Sequence, residues 1–148
     1  MPTRTGPSCP PTARSATSPT PAARKTVKAR TRRSDGASAE AAVAAWLERR
    51  GYAIVATNLR VGRLEIDLVA RRGAVIAVVE VRTRGATAWT TAFGSVDKKK
   101  QLRLRRAGER LWQRRYKHDP SAERLRFDVA SVSLATDPPS VEYAVAAF

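Results

Sequence analysis

Only Arg71-Arg72-Gly73 separates two runs rich in β-branched and apolar residues, 64–70 and 74–82. So short a connector makes these runs an antiparallel hairpin. Side chains alternate along a strand, so the hairpin also decides which of them share a face. A two-residue turn at Arg72-Gly73 pairs residues whose numbers sum to 145 and sets Glu65 opposite Glu80. A turn at Gly73-Ala74 gives a sum of 147 and sets Asp67 opposite Glu80. Either register gathers Glu65, Asp67, Glu80 and Arg82 on one face.

Acids are an odd choice for that face. Asp and Glu are depleted in strands, and like charges set opposite each other are destabilising. The other face of the third run (Val75, Ala77, Val79, Val81) is continuously apolar, whereas Glu80 follows Ile76 and Val78. A hard divalent cation such as Mg²⁺ or Mn²⁺, which takes oxygen ligands, relieves the repulsion. An exposed sheet edge with Glu80 and Arg82 as an ion pair is the alternative reading.

Around the hairpin the pattern predicts the order α-β-β-β-α-β-β: an α/β fold with a mixed sheet flanked by helices. Ser34 or Asp35 caps a helix with Ala39, Val43, Trp46 and Leu47 at helical spacing, and Gly51 closes it. Residues 52–60 form the first strand, 96–116 a second helix, 125–134 a strand and 141–148 a weaker one. Residues 85–94, rich in Gly, Thr and Ala, form a loop in which Trp89 and Phe93 can stack on bases or plug the core edge.

Two segments are expected. Residues 1–35 hold six of the nine prolines, eight bases and one acid, and almost no large apolar side chain. Such a stretch cannot bury enough surface to offset its ordering entropy, so it reads as a disordered basic tail. Residues 36–148 form the folded domain. The single cysteine, Cys9, excludes an intrachain disulfide and a cysteine zinc site. The apolar runs 41–47 and 74–79 are far shorter than the ~20 residues that cross a bilayer. With no apolar segment for secretion, the expected location is the cytoplasm.

The net charge of +15 points to a polyanionic partner, since counterion release drives such binding. Between residues 98 and 117 ten bases face one acid, Glu109. Lys98, Lys99, Lys100, Arg103, Arg106 and Arg110 are the candidate nucleic-acid contacts, and Leu104, Ala107 and Leu111 mark the buried face. A solvated outer face is the plainer alternative. Nothing here reads base edges, so recognition is expected to follow backbone or junction shape. Trp46 and Trp112 read as core or rim packing and His118 as exposed. Asp128 reads as a structural hydrogen-bonding or ion-pairing group with Arg126 as a ready partner.

The segments Ala39-Glu40, Gly51-Tyr52, Asn58-Leu59-Arg60, Glu65-Ile66-Asp67-Leu68, Val79-Glu80-Val81-Arg82-Thr83-Arg84, Phe93-Gly94, Lys100 and Arg126-Phe127-Asp128-Val129 occur in this order. Together they resemble the YraN-like family of small bacterial proteins. The resemblance implies a core similar to restriction endonucleases and Holliday-junction resolvases of the PD-(D/E)xK type. It assigns Asp67 and Glu80 as the catalytic acids, with Arg82 in the place of the motif lysine. Glu40 would complete a Mg²⁺ or Mn²⁺ site with Asp67 and Glu80, and Glu65 would be an accessory acid. The implied reaction is metal-assisted hydrolysis of phosphodiester bonds in branched or unusual DNA. Arg82 can supply electrostatic stabilisation but not a base, because guanidinium stays protonated. Lys98, Lys99 or Lys100 is the alternative source of an ammonium group. The alternative function is a nonhydrolytic DNA- or RNA-binding factor of repair, recombination or RNA metabolism. DNA is the expected partner ahead of RNA, and a homodimer is conceivable by analogy with paired resolvases.

Overall fold

The computed structural model describes residues 32–84 and 97–148. Helix α1 (Arg32–Glu48) leads into strands β1 (Ala53–Val61), β2 (Leu64–Arg72) and β3 (Val75–Arg84). Helix α2 (Lys98–Arg115) precedes β4 (Arg124–Ser133) and β5 (Ser140–Ala144). The fold is α/β, with a five-stranded mixed sheet in the order β1-β2-β3-β4-β5. Among the described residues only the β3–β4 pairing is parallel, and α2 lies in the crossover that such a pairing requires.

The helices cover opposite faces of the sheet. Ala39, Val43 and Leu47 of α1 pack on Leu68, Ala70, Ala77, Val79, Ala130 and Val132. Leu104, Ala107 and Leu111 of α2 pack on Val61, Ile66, Val69, Ile76 and Val78. Both sets are the apolar positions expected from helical spacing. Gly108 lies so close to the sheet that an added Cβ would stand 2.7 Å from the Phe127 ring.

Several boundaries differ from the pattern. Helix α1 begins at Arg32, so Ser34 and Asp35 lie in its first turn instead of capping it. Asp35 still favours that end through the helix dipole. The hairpin turn is Gly73-Ala74: Arg72 pairs with Val75, so Arg71 and Arg72 belong to β2. Gly73 has φ 57°, a conformation that favours glycine. Of the two registers, the one summing to 147 is observed. Asp97 caps α2 by accepting from Lys99 N, so that helix starts at Lys98. Strand β5 stops at Ala144, because the Ala146 amide turns inward to Asp128 Oδ1 at 2.8 Å. The expected loop with Trp89 and Phe93, and residues 1–31 of the tail, lie outside the described residues.

Candidate active site at the open end of the hairpin

The β2–β3 ladder ends at Leu68↔Val79, while β3 continues alongside β4 as far as Arg84. Beyond that point β2 contacts β3 through a side chain: Val81 N donates to Asp67 Oδ2 at 2.9 Å. This is where the sheet opens, beside the carboxyl ends of the parallel pair, the usual place for ligands in parallel α/β sheets.

Glu80 follows Ile76 and Val78 on the α2 face and is 1 % exposed. Its Oε1 pairs with Lys100 Nζ of α2, and Arg82 Nε lies 3.9 Å from the same oxygen. Its Oε2 is buried and has no hydrogen-bond partner among the described residues. Burial, and then the charge of Asp67, push the Glu80 carboxyl above its ordinary range, with Lys100 and Arg82 opposing them. The linkage has a definite sign. This contribution to stability is fully present below the ordinary glutamate pKa and is lost as pH rises through the raised one. The folded protein therefore keeps this carboxyl protonated, and neutral, to higher pH than the unfolded chain does.

Asp67 also bears on the opposite side of the sheet. Glu40 of α1 accepts a hydrogen bond from Asn58 Nδ2. Its carboxyl is raised by partial burial and by the charges of Asp67 and Glu65, while the Asn58 bond lowers it. Asp67 is thus the acid common to two arrangements: with Glu80 under α2, and with Glu40 and Glu65 beside α1. The expectation that Glu65, Asp67 and Glu80 share one face needs correction. Ile66 belongs to the α2-side core and Leu68 to the α1-side core, so alternation fails at Asp67. Opposite, Asn58 takes the left-handed conformation (φ 50°) inside β1. Glu65 is left exposed, one residue from Leu64 and Ile66 and on the other side of the strand from them.

Divalent-cation binding can be judged on these donors. Glu80 Oε2 and Asp67 supply two carboxylates, one oxygen of which is buried and unpartnered. No group of three or more His, Cys, Asp or Glu among the described residues is gathered closely enough to hold a metal. Mg²⁺ commonly takes one or two carboxylates and fills its remaining positions with water and substrate phosphate. The Asp67–Glu80 pair fits that habit; an all-protein cage including Glu40 is not formed.

The basic helix frames this end. Lys98, Lys99, Lys100, Arg103, Arg106 and Arg110 are all exposed, while Leu104, Ala107 and Leu111 are buried. Three lysines in the first turn oppose the helix dipole, which favours acids there. Glu80 beneath Lys100 supplies the compensating charge. That helix-start anomaly was the available sequence signal for Lys100 as a site residue. His118 is exposed, and Trp46 and Trp112 are half-buried rim residues.

Residues 39–132 match the uncharacterised protein family UPF0102. The chain belongs to the UPF0102 family. The YraN-like resemblance of its motifs is thereby borne out. A UPF0102 protein of Sorangium cellulosum is 54% identical over 118 residues, covering 79% of this chain and 82% of that protein. Relatives from Moorella thermoacetica (44% over 105 residues; 70% and 84% covered) and Rhodopseudomonas palustris (41% over 103 residues; 70% and 76%) carry the same family name. The UPF0102 match spans Glu40, Asp67, Glu80, Arg82 and Lys100, so the arrangement described above lies wholly inside the shared region. No helix among the described residues is long and apolar enough to cross a membrane.

Proposed function

We propose that this UPF0102 protein is a metal-dependent endonuclease-like hydrolase of phosphodiester bonds in branched or otherwise unusual DNA, built on a restriction-endonuclease-like core. One observation carries the reading: Glu80 is buried with an unpartnered oxygen, next to Asp67 and under an ammonium group. A buried carboxylate left half satisfied is costly for a fold and recurs where a site needs it.

In this reading Asp67 and Glu80 hold Mg²⁺ or Mn²⁺. When bound, the ion lowers the pKa of water and offsets charge on the phosphate. In this reading Lys100, which reaches Glu80 from α2 instead of from β3, takes the part of the motif lysine. It orients Glu80 and offers positive charge to the phosphate. Arg82 adds a second, permanently protonated group. The exposed bases of α2 grip the flanking backbone through phosphate contacts. Glu40, held by Asn58, stays outside the pair on the far side of the sheet.

A nonhydrolytic nucleic-acid-binding factor is the second reading, favoured by the want, among the described residues, of a third carboxylate beside Glu80. Incubation with duplex, single-stranded and four-way-junction DNA in Mg²⁺, Mn²⁺ or EDTA separates the two. The hydrolase gives cleavage that needs metal and disappears in both Asp67→Ala and Glu80→Ala. Binding without cleavage by any of these substrates supports the second reading.

A further inference from the structure

The α1 side of the sheet carries an open cavity near the β2–β3 turn. Trp46 of α1 stacks on Tyr143 of β5 with ring centroids 5.0 Å apart. With Arg50, Tyr52, Arg72 and Val145 these rings line a space of about 430 Å³, large enough for a small ligand. Arg72 pairs with Val75, and Glu80 lies five residues further along β3, about 17 Å away along the strand. Trp46, Tyr52 and Tyr143 pack on the α1-side core, whereas Glu80 faces α2.

The cavity wall is fixed from behind. Tyr143 OH donates to Asp128 Oδ2 at 2.7 Å, and Tyr52 OH accepts from Arg126 Nη2 at 2.9 Å. Both phenol oxygens are thus engaged inside the protein, and the tyrosines offer the cavity ring surface. The Arg50 guanidinium lies 3.5 Å from the centre of the Trp46 ring and donates from Nη1 to Trp46 O. The Arg72 guanidinium lies 5.5 Å from the centre of the Tyr52 ring. Arg71, Arg84 and Arg126 pair with Asp119, Glu142 and Asp128. Among the described residues neither Arg50 nor Arg72 pairs with a carboxylate, and no acid lines the cavity.

A guanidinium resting on a ring keeps its N–H edge for bidentate contact with phosphate. The matching ligand joins a flat ring to negative charge. A nucleic acid has both, and the net charge of +15 favours a polyanion. Its bases are inaccessible within a duplex but stack on aromatic side chains when unpaired. A nucleotide within a strand also has a phosphate on either side, matching guanidiniums on two different rings. We infer that this cavity binds one unpaired nucleotide of a single strand, its base against the tyrosine rings and its phosphates on Arg50 and Arg72. The inference stands apart from the hydrolase reading, because no lining residue belongs to the Glu80 site.

The test is fluorescence anisotropy in EDTA with a short labelled oligothymidylate and with a duplex of equal length. Arg50→Gln, Arg72→Gln and Val145→Glu change exposed residues and should leave thermal unfolding unaltered. Each should bind the single strand about tenfold more weakly, as expected for losing or opposing one charged contact. Duplex affinity should change far less. Arg49→Gln removes an exposed charge next door, outside the cavity, and should barely affect either ligand. Ultraviolet cross-links from an iodouracil-bearing strand should fall on Tyr52 or Tyr143. Equal losses in all four variants, or cross-links confined to α2, overturn the inference. So does failure of wild type to bind the single strand, or binding that the three cavity variants leave unchanged, which points to an acidic peptide as the occupant. None of these outcomes bears on metal-dependent cleavage, which is measured separately.

Discussion

Asp128→Ala is expected to lower the unfolding free energy by ~3–5 kcal/mol, the cost of removing one partner from a buried ion pair. Asp128 is fully buried on the α1 side of the sheet. Its two oxygens accept from Arg126 Nε and Nη2, from Tyr143 OH at 2.7 Å and from Ala146 N at 2.8 Å. Arg126 Nη2 also donates to Tyr52 OH, so the network ties the start of β1 to β4 and to the segment after β5. Without the carboxylate, the Arg126 guanidinium loses its counter-charge, and the Tyr143 hydroxyl and Ala146 amide lose their acceptor. Burial alone would favour neutral Arg126, yet its bonds to Asp128 and Tyr52 hold it more firmly charged than an ordinary arginine. Burial and the neighbouring Asp128 charge push the Tyr143 hydroxyl well above its usual range, keeping it a donor. A domain typically has only ~5–15 kcal/mol in hand, so this change removes a large share of it. Urea unfolding followed by circular dichroism measures the loss; a change below about 1 kcal/mol would show that the network contributes little.

The second large effect falls on chemistry. Lys100→Met should reduce the rate of metal-dependent cleavage by ~10²–10³-fold, the usual cost of removing one preorganised charge from a reacting centre. Lys98→Met and Lys99→Met, which change exposed neighbours in the same turn, should mainly weaken binding. A further signature separates a role in the site from simple structural support. Lys100 lowers the Glu80 pKa against burial and Asp67, so its loss lets that pKa rise further. The acid limb of the rate profile should then move to higher pH. Equal rate losses in all three variants, with no shift of the profile, would reduce Lys100 to one member of a general basic surface.

Part of this arrangement was legible in the sequence because the physics is local. The short connector made the hairpin, and the spacing of Leu104, Ala107 and Leu111 gave the buried stripe of α2. The Asp67–Glu80 register was one of only two permitted. Asp128 beside Arg126 read as a structural pair, and it is one. Glu65 misled because strict alternation assumes a regular strand, whereas β2 and β1 break at Asp67 and Asn58. Asn58 was the available hint, since asparagine is depleted in strands but tolerates the left-handed conformation. The contact of Lys100 with Glu80 depends on how α2 docks after a crossover, and no periodicity within either element reveals that.

The claim on which the functional account stands is that Glu80 and Asp67 form a site for a divalent cation. Thermal unfolding of wild type and Glu80→Gln across a Mn²⁺ titration tests it without requiring activity. Wild type should gain stability with Mn²⁺, reaching about 2.7 kcal/mol at a hundredfold excess over the dissociation constant. Glu80→Gln should start ~0.5–2 kcal/mol more stable, having lost a buried charge kept for function, and should not respond to the metal. Identical Mn²⁺ responses in the two proteins would contradict the account.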